Sequence, residues 1–411
     1  MPPGPGAAGI RLRLPSTLSG GTRLQAVRSR RNGYQRAKLG SAATMSERSQ
    51  VGTMNPAQQL HQAGQSLWLD SINRRMLTAG TLKHYIDEFA ITGLTSNPTI
   101  LGHAMAASAD YDDSLRRLVA EGVQEPEELV YAAALEDLTA AADLLYPTWE
   151  ATDGIDGYVS LEIPPGLAYD AQASIEVARR LHTQAGRPNL LVKIPGTAAG
   201  LTAMEALVGE GIGINVTLLF SNTHYLQTAA AYLRALQRRS AAGQPLHVPS
   251  VASVFISRWD KAVDTMLPTP LHGRLGLAMA SKVYASYRNL LEDAQWKDLA
   301  AAGARPQRAL WASTSTKDPG FPDTYYLGRL AAPDTIDTVP EKTLLAFADH
   351  GGPVELMKPD YAAAEAYLAK VASHGIDVDA LGESLQRQGA RAFEADWVAL
   401  LETIGTKAAN L

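Results

Sequence analysis

The chain contains no cysteine among its 411 residues. That excludes disulfides, thiolate nucleophiles and cysteine-based zinc sites together. The nine His are scattered without the paired spacing of a metal site. No uninterrupted run of about 18 apolar residues occurs, so no membrane span is expected. The net charge of −5 gives no electrostatic reason to expect nucleic-acid binding. No phosphate-loop motif is present. Gly209-Glu-Gly-Ile-Gly213 precedes a strand-like run instead of following one, so it is not a dinucleotide fingerprint. Serine and histidine form no nucleophile-elbow motif.

Acid is also missing from the start of the chain. Arg11, Arg13, Arg23, Arg28, Arg30, Arg31, Arg36 and Lys38 occur before the first acid, Glu47. Residues 1–53 read as a disordered extension or a start assigned too early, with Met45 and Met54 as candidate starts. An Arg-rich organelle transit leader is the alternative. The first reading goes with a cytoplasmic protein, the second with an organelle-targeted one. Hydrophobic residues make up 46% of the chain and charged residues 19%, which is ordinary for a globular protein.

From residue 54 onward, short apolar runs alternate with helical patterns. Strands are predicted at Leu67–Ile72, Ile91–Thr95, Gly157–Ile163, Asn189–Ile194, Gly213–Phe220, Val248–Ile256, Arg308–Ser313 and Thr338–Leu345. Helical stripes cover Ala171–Ala185, Thr197–Gly209 and Asn222–Arg239, the last behind Ser221 as N-cap. Alternating strands and helices imply parallel β-α units, and eight of them predict a single (β/α)8 TIM barrel over residues 54–411. An open doubly wound sheet is the competing architecture. The excess length goes to helices between the second and third strands (residues 100–155) and after the eighth. There Asp360–Ser373 and Val378–Thr403 read as helices punctuated by Gly375 and Gly382.

Lys193 is a lone cation in the run Leu190-Leu-Val-Lys-Ile194. By strand alternation it shares a face with Leu191 and Pro195, while Val192 and Ile194 take the other. Free lysine has a pKa of roughly 10.4, so about one amine in a thousand is neutral near pH 7. Burial among apolar walls lowers that pKa, and a neutral amine attacks carbonyls to form a Schiff base. The alternative is a lysine guarding an exposed sheet edge. Apolar residues on both faces argue against an edge.

Polar groups recur at the predicted C-terminal ends of successive strands: Asp70, Thr95 with Asn97, Glu162, Lys193, Asn215 with Thr217, and Ser253 with Arg258, the last two flanking the apolar Phe255. In a barrel these ends converge on one face, where active sites are built. Singly, each has an ordinary reading: a turn residue for Asp70 or Asn97, a β-branched strand residue for Thr217, core packing for Phe255, and an ion pair with Asp260 for Arg258.

The segments GLTSNPTI (93–100), VSLEI (159–163), LLVKIPGT (190–197), GINVTLLFS (213–221) and SVFISRWD (253–260), in this order, resemble the transaldolase family. The longer bacterial branch, with helices after the barrel, is most similar. The resemblance implies Schiff-base transfer of a dihydroxyacetone unit between phosphorylated ketose and aldose substrates, with no metal or cofactor. It implies Lys193 as the imine-forming lysine and Asp70 as the acid/base on the sugar hydroxyl. Glu162 would work with an ordered water that Thr217 positions. Thr95, Asn97 and Asn215 would hydrogen-bond substrate hydroxyls. Arg258 with Ser253 and Ser313 would hold the phosphate, since a guanidinium offers phosphate a planar fork. The family commonly has a second arginine after the seventh strand. Here the segment Ala312-Ser-Thr-Ser-Thr-Lys317 has none, which leaves Lys317 as the candidate second cation. The related fructose-6-phosphate aldolases tend to be shorter, with Gln at the Glu162 position and Tyr at the Phe255 position. Glu162 and Phe255 both place this chain on the transferase side. An aldolase or a non-catalytic sugar-phosphate-binding barrel remain the alternatives, and the sequence leaves monomer and homodimer equally open.

Overall fold

The computed structural model of the protein describes residues 54–411; the expectation for residues 1–53 lies outside the described residues. Eight parallel strands close into a barrel in sequence order: β1 Ser66–Leu69, β2 Ile91–Thr95, β3 Val159–Glu162, β4 Leu190–Pro195, β5 Ile214–Leu219, β6 Ser250–Phe255, β7 Arg308–Ala312 and β8 Ile336–Val339. This is the expected (β/α)8 architecture, and β8 pairs with β1 (Trp68 opposite Thr338), which rules out the open sheet.

Helix α1 (Pro56–Gln62) precedes β1, and α2 (Arg74–Thr78) and α3 (Thr81–Phe89) follow it. Three helices fill the gap before β3: α4 (Pro98–Ala107), α5 (Asp112–Ala120) and α6 (Pro126–Ala151). Single helices follow β3, β4 and β5: α7 (Ala171–Ala185), α8 (Ala198–Glu210) and α9 (Asn222–Ala241). After β6 come α10 (Ser257–Val263), α11 (Leu275–Glu292) and α12 (Ala294–Ala301). After β8 come α13 (Glu341–His350), α14 (Tyr361–Ala372) and α15 (Val378–Ala409). No helix among the described residues is long and apolar enough to cross a membrane.

Strand alternation sets two apolar layers. Val192 and Ile194 of β4 pack with the surrounding helices, while Leu191 packs with Trp68, Val251, Leu310 and Ile336. Each fully buried aliphatic side chain stabilises the fold by roughly 1.5–3 kcal/mol. Gly93 on β2 is required by that inner layer, because a Cβ there would lie 2.4 Å from the Trp68 indole. Ser221 caps α9 as expected, its Oγ accepting from His224 N (3.1 Å), and Thr197, read from the pattern as the first helical residue, is the N-cap of α8, its Oγ1 accepting from Gly200 N (3.0 Å).

Two expectations need correction. The eighth strand is Ile336–Val339 and not Thr338–Leu345. Pro340 has no N–H to continue the ladder and sits at the N-cap of α13, so Leu344 and its neighbours are helical. Gly382 does not punctuate a helix. It lies inside α15, where a Cβ would come 3.2 Å from the Trp259 ring, so it marks a close helix–barrel contact. Helices α11 and α12 carried no sequence expectation at all.

The long α15 is tied to the barrel at its C-terminal rim. Gln386 Nε2 donates to both Gly196 O and Leu218 O at 3.0 Å, at the ends of β4 and β5. His224 at the start of α9 meets Glu383 at 2.9 Å.

Candidate active site

The C-terminal ends of the strands surround a cavity of about 650 Å³, walled on one side by Leu385, Gln388 and Phe393 of α15. Lys193 stands in its floor at 6% exposure. Its Nζ lies 2.9 Å from Glu162 Oε2 and donates to Ser96 O at 3.2 Å. The contact follows from register, because Glu162 on β3 is the direct neighbour of Lys193 on β4. Neither oxygen of Glu162 has a well-aligned hydrogen-bond donor. Burial pushes the Glu162 carboxyl above its ordinary range, opposed by the Lys193 charge. A carboxylate so placed accepts a proton more readily than one in water.

Asp70 follows β1 and opens onto the cavity. Its backbone N–H donates to Val339 O at 2.8 Å, so barrel closure fixes its place. Thr95 Oγ1 donates to Asp70 Oδ1 at 2.8 Å and also meets Thr338 Oγ1. Burial raises the Asp70 pKa; the Lys193 charge and the Thr95 hydroxyl act against that rise. Two carboxyl groups with elevated proton affinity thus flank one lysine.

Thr217 lines the cavity, fully buried, and its Oγ1 has no hydrogen-bond partner. A buried hydroxyl left unpaired is costly, so this atom is set up to bind a water or a substrate oxygen. The strand is irregular here: β5 shifts register against β6 between Val216 and Leu219, and Leu218 adopts φ 57°. Such a bulge re-aims side chains at the end of a strand.

Ten of the twelve predicted residues line the cavity: Asp70, Thr95, Asn97, Lys193, Thr217, Ser253, Phe255, Arg258, Ser313 and Lys317. Glu162 lies under the floor against Lys193. Asn215 is not on the cavity wall. It is fully buried, accepts from Ser253 Oγ at 2.7 Å and donates to Ser160 Oγ at 3.1 Å, so it braces the floor. Asn97 also has a structural task, since its Oδ1 caps α4 at Ile100 N (2.9 Å), which leaves its Nδ2 donors for a ligand. Arg258 does not pair with Asp260. That carboxylate is buried and accepts from Leu275 N, Gly276 N and Tyr326 Oη. The Arg258 guanidinium instead lies within cation–π reach of two rings, 5.6 Å from the Phe255 centroid and 5.8 Å from that of Phe393. Ser313 adopts φ 57° and its Oγ lies 3.0 Å from Ser257 Oγ.

Sequence reasoning missed Ser96, Ser160, Thr338, Lys261, Gln388 and Phe393. Thr338 was within reach, had the last strand been placed two residues earlier. Gln388 and Phe393 carried no usable signal, because nothing local docks α15 on the rim.

The chain matches the sequence model of the family described as Transaldolase/Fructose-6-phosphate aldolase over residues 67–404. It is 43% identical over 364 residues to "Transaldolase" of Thermobifida fusca, covering 86% of this chain and 99% of that protein. It is equally identical over 360 residues to "Transaldolase" of Thiobacillus denitrificans, covering 86% and 100%. "Transaldolase 2" of Nostoc is 38% identical over 376 residues, covering 86% and 98%.

Proposed function

The chain belongs to the transaldolase/fructose-6-phosphate aldolase family, and we propose that it acts as a transaldolase through a Schiff base on Lys193. The reaction moves a dihydroxyacetone unit from sedoheptulose 7-phosphate to glyceraldehyde 3-phosphate, giving erythrose 4-phosphate and fructose 6-phosphate, reversibly. The observation that carries the reading is the convergence of Lys193, Glu162 and Asp70 in one floor.

The Lys193 amine adds to the ketose carbonyl. Glu162 receives the ammonium proton across 2.9 Å and returns it, by way of a water on Thr217, as the carbinolamine loses hydroxide. Asp70 takes the proton of the hydroxyl beside the scissile carbon–carbon bond. That bond breaks, its electron pair enters the imine, and an aldehyde leaves. The resulting enamine adds to the acceptor aldehyde while Asp70 gives its proton back, and water then adds to the new imine, by the reverse of its formation, to release the product ketose and restore the Lys193 amine. A carboxyl whose proton affinity is raised by burial suits a role in which it must hold that proton between two aldehydes. Sugar phosphates do not cross membranes unaided, so the same reading puts the enzyme in the cytoplasm, where they are made.

The transferase reading is favoured over the aldolase by the apolar wall beside the imine. Phe255 packs against Phe220 at 5.4 Å between centroids and presents no hydroxyl to the enamine. Release of glyceraldehyde 3-phosphate from fructose 6-phosphate is therefore expected only when erythrose 4-phosphate is supplied; equal release without it makes the protein an aldolase. Phe255→Tyr should raise acceptor-independent release by roughly tenfold, well under the effect of an ideally placed acid or base. Unchanged free dihydroxyacetone in that variant removes Phe255 from this role.

A further inference from the structure

We infer that Lys261, on α10, is a specificity-determining residue that binds the substrate phosphate together with Arg258 and Lys317; the inference rests on the sugar-phosphate reading of the cavity. Lys261 lines the same cavity as Arg258 and lies three residues after it, on the same side of the helix. Ser257, four residues before Lys261, lines the cavity too. Beside α10, Ser313, Ser315 and Lys317 come from the segment after β7, joined to it where Ser313 Oγ meets Ser257 Oγ at 3.0 Å. The site thus presents hydroxyls and cations from two elements toward one volume, a composition suited to a phosphate monoester dianion.

The charge of Lys261 is not used elsewhere. Its two nearest acids in sequence are committed to other partners: Asp260 is buried against Leu275 N, Gly276 N and Tyr326 Oη, and Asp264 accepts from Gly273 N at 3.0 Å. Among the described residues, neither Lys261 nor Lys317 forms an ion pair, and Asp70, in the floor, is the only carboxylate on the cavity wall. The carboxylate that acts on Arg258 is Asp396, exposed on α15. Arg258 is half-buried near two aromatic rings, whereas Lys261 and Lys317 are exposed at the rim. A half-buried guanidinium with two exposed ammonium groups more than offsets the charge of a dianion and draws it in from solution. This arrangement also supplies the charge that a second arginine after β7 would otherwise bring.

The test separates Lys261 from the catalytic reading. Lys261→Ala should raise KM for both fructose 6-phosphate and erythrose 4-phosphate roughly tenfold with kcat within about twofold, the scale of one charge-assisted contact. The preference for phosphorylated over unphosphorylated acceptors should fall by the same factor, and Lys261→Arg should restore most of it. Inorganic phosphate, used as a competitive inhibitor and as a calorimetric titrant, should bind the alanine variant correspondingly more weakly, and the difference should shrink at high salt. Equal phosphate affinity in wild type and Lys261→Ala overturns the assignment, as does a wild type that binds no phosphate. If phosphate binding weakens as expected while fructose 6-phosphate is not turned over at all, Lys261 stands and the transaldolase reading falls.

Discussion

Replacing Lys193 with alanine should abolish covalent labelling by dihydroxyacetone-bearing substrate in the presence of borohydride and lower turnover by ~10^4-fold or more, within the range seen for removal of an enzyme nucleophile. The size follows from the site. Lys193 is the only lysine in the floor, and the other cations of the cavity stand on α10 or in the segment after β7. An exposed lysine has no Glu162 beside it to receive its proton and no enclosed wall to keep its imine from water. The substitution also strands Glu162, which is 2% exposed and faces Lys193 as its counter-charge. Removing one member of a buried pair typically destabilises by about 3–5 kcal/mol, and Glu162 will relieve part of this by taking up a proton. A melting curve therefore accompanies the assay. Lys193→Arg keeps a positive charge beside Glu162 but forms no imine, so it should lose labelling while retaining more stability than the alanine variant. A trapped adduct on another lysine in either variant would move the nucleophile and with it the mechanism.

Lys193 was legible because strand physics makes a lone cation between apolar faces conspicuous. The barrel was legible for a similar reason: seven strands announced themselves as apolar runs, and parallel topology then orders them. Depth was not legible. Asn215 is the register neighbour of Lys193, yet it braces Ser253 and Ser160 below the floor, whereas Thr217, two residues on, reaches the cavity. Strand tilt and the bulge at Leu218 decide this, and neither is written in the local pattern. The rim was the least visible part. Lys261 reads as an ordinary solvent-facing lysine until the placement of α10 shows that its nearest acids are taken. The roof is a long-range matter, since Phe393 meets Arg258 only because Gln386 bonds the backbone at the ends of β4 and β5.

Asp337→Asn should make the protein more stable at neutral pH, the opposite of what usually follows from changing a buried charged residue. Asp337 is fully buried on β8. Thr314 Oγ1 donates to its Oδ1 at 2.9 Å, and Oδ2 has no partner. Burial pushes its pKa up to about 8, with the charge of Asp70 adding to the rise and the Thr314 hydrogen bond opposing it. The unfolded chain has this carboxyl near 3.8. Between these values the folded state holds a proton that the unfolded state has released. Stability therefore falls as pH rises through that window and is level on either side. At pH 7 the burden is about 4 kcal/mol, from 1.36 kcal/mol for each unit by which the pH exceeds the unfolded pKa. Asparagine keeps the acceptor for Thr314 and needs no proton, but it adds an N–H that must find a partner, which takes back about 1 kcal/mol. The expected net gain is about 3 kcal/mol at pH 7 and close to nothing at pH 4, read as the difference in melting temperature between variant and wild type across that range. A gain that does not grow with pH would mean that Asp337 carries no extra proton in the folded state. Thr314 lies between Ser313 and Ser315, so its bond to residue 337 also anchors the segment that ends in Lys317. Because asparagine preserves that bond, KM for fructose 6-phosphate should stay within about twofold of wild type, whereas Asp337→Ala, which deletes the acceptor, should raise it.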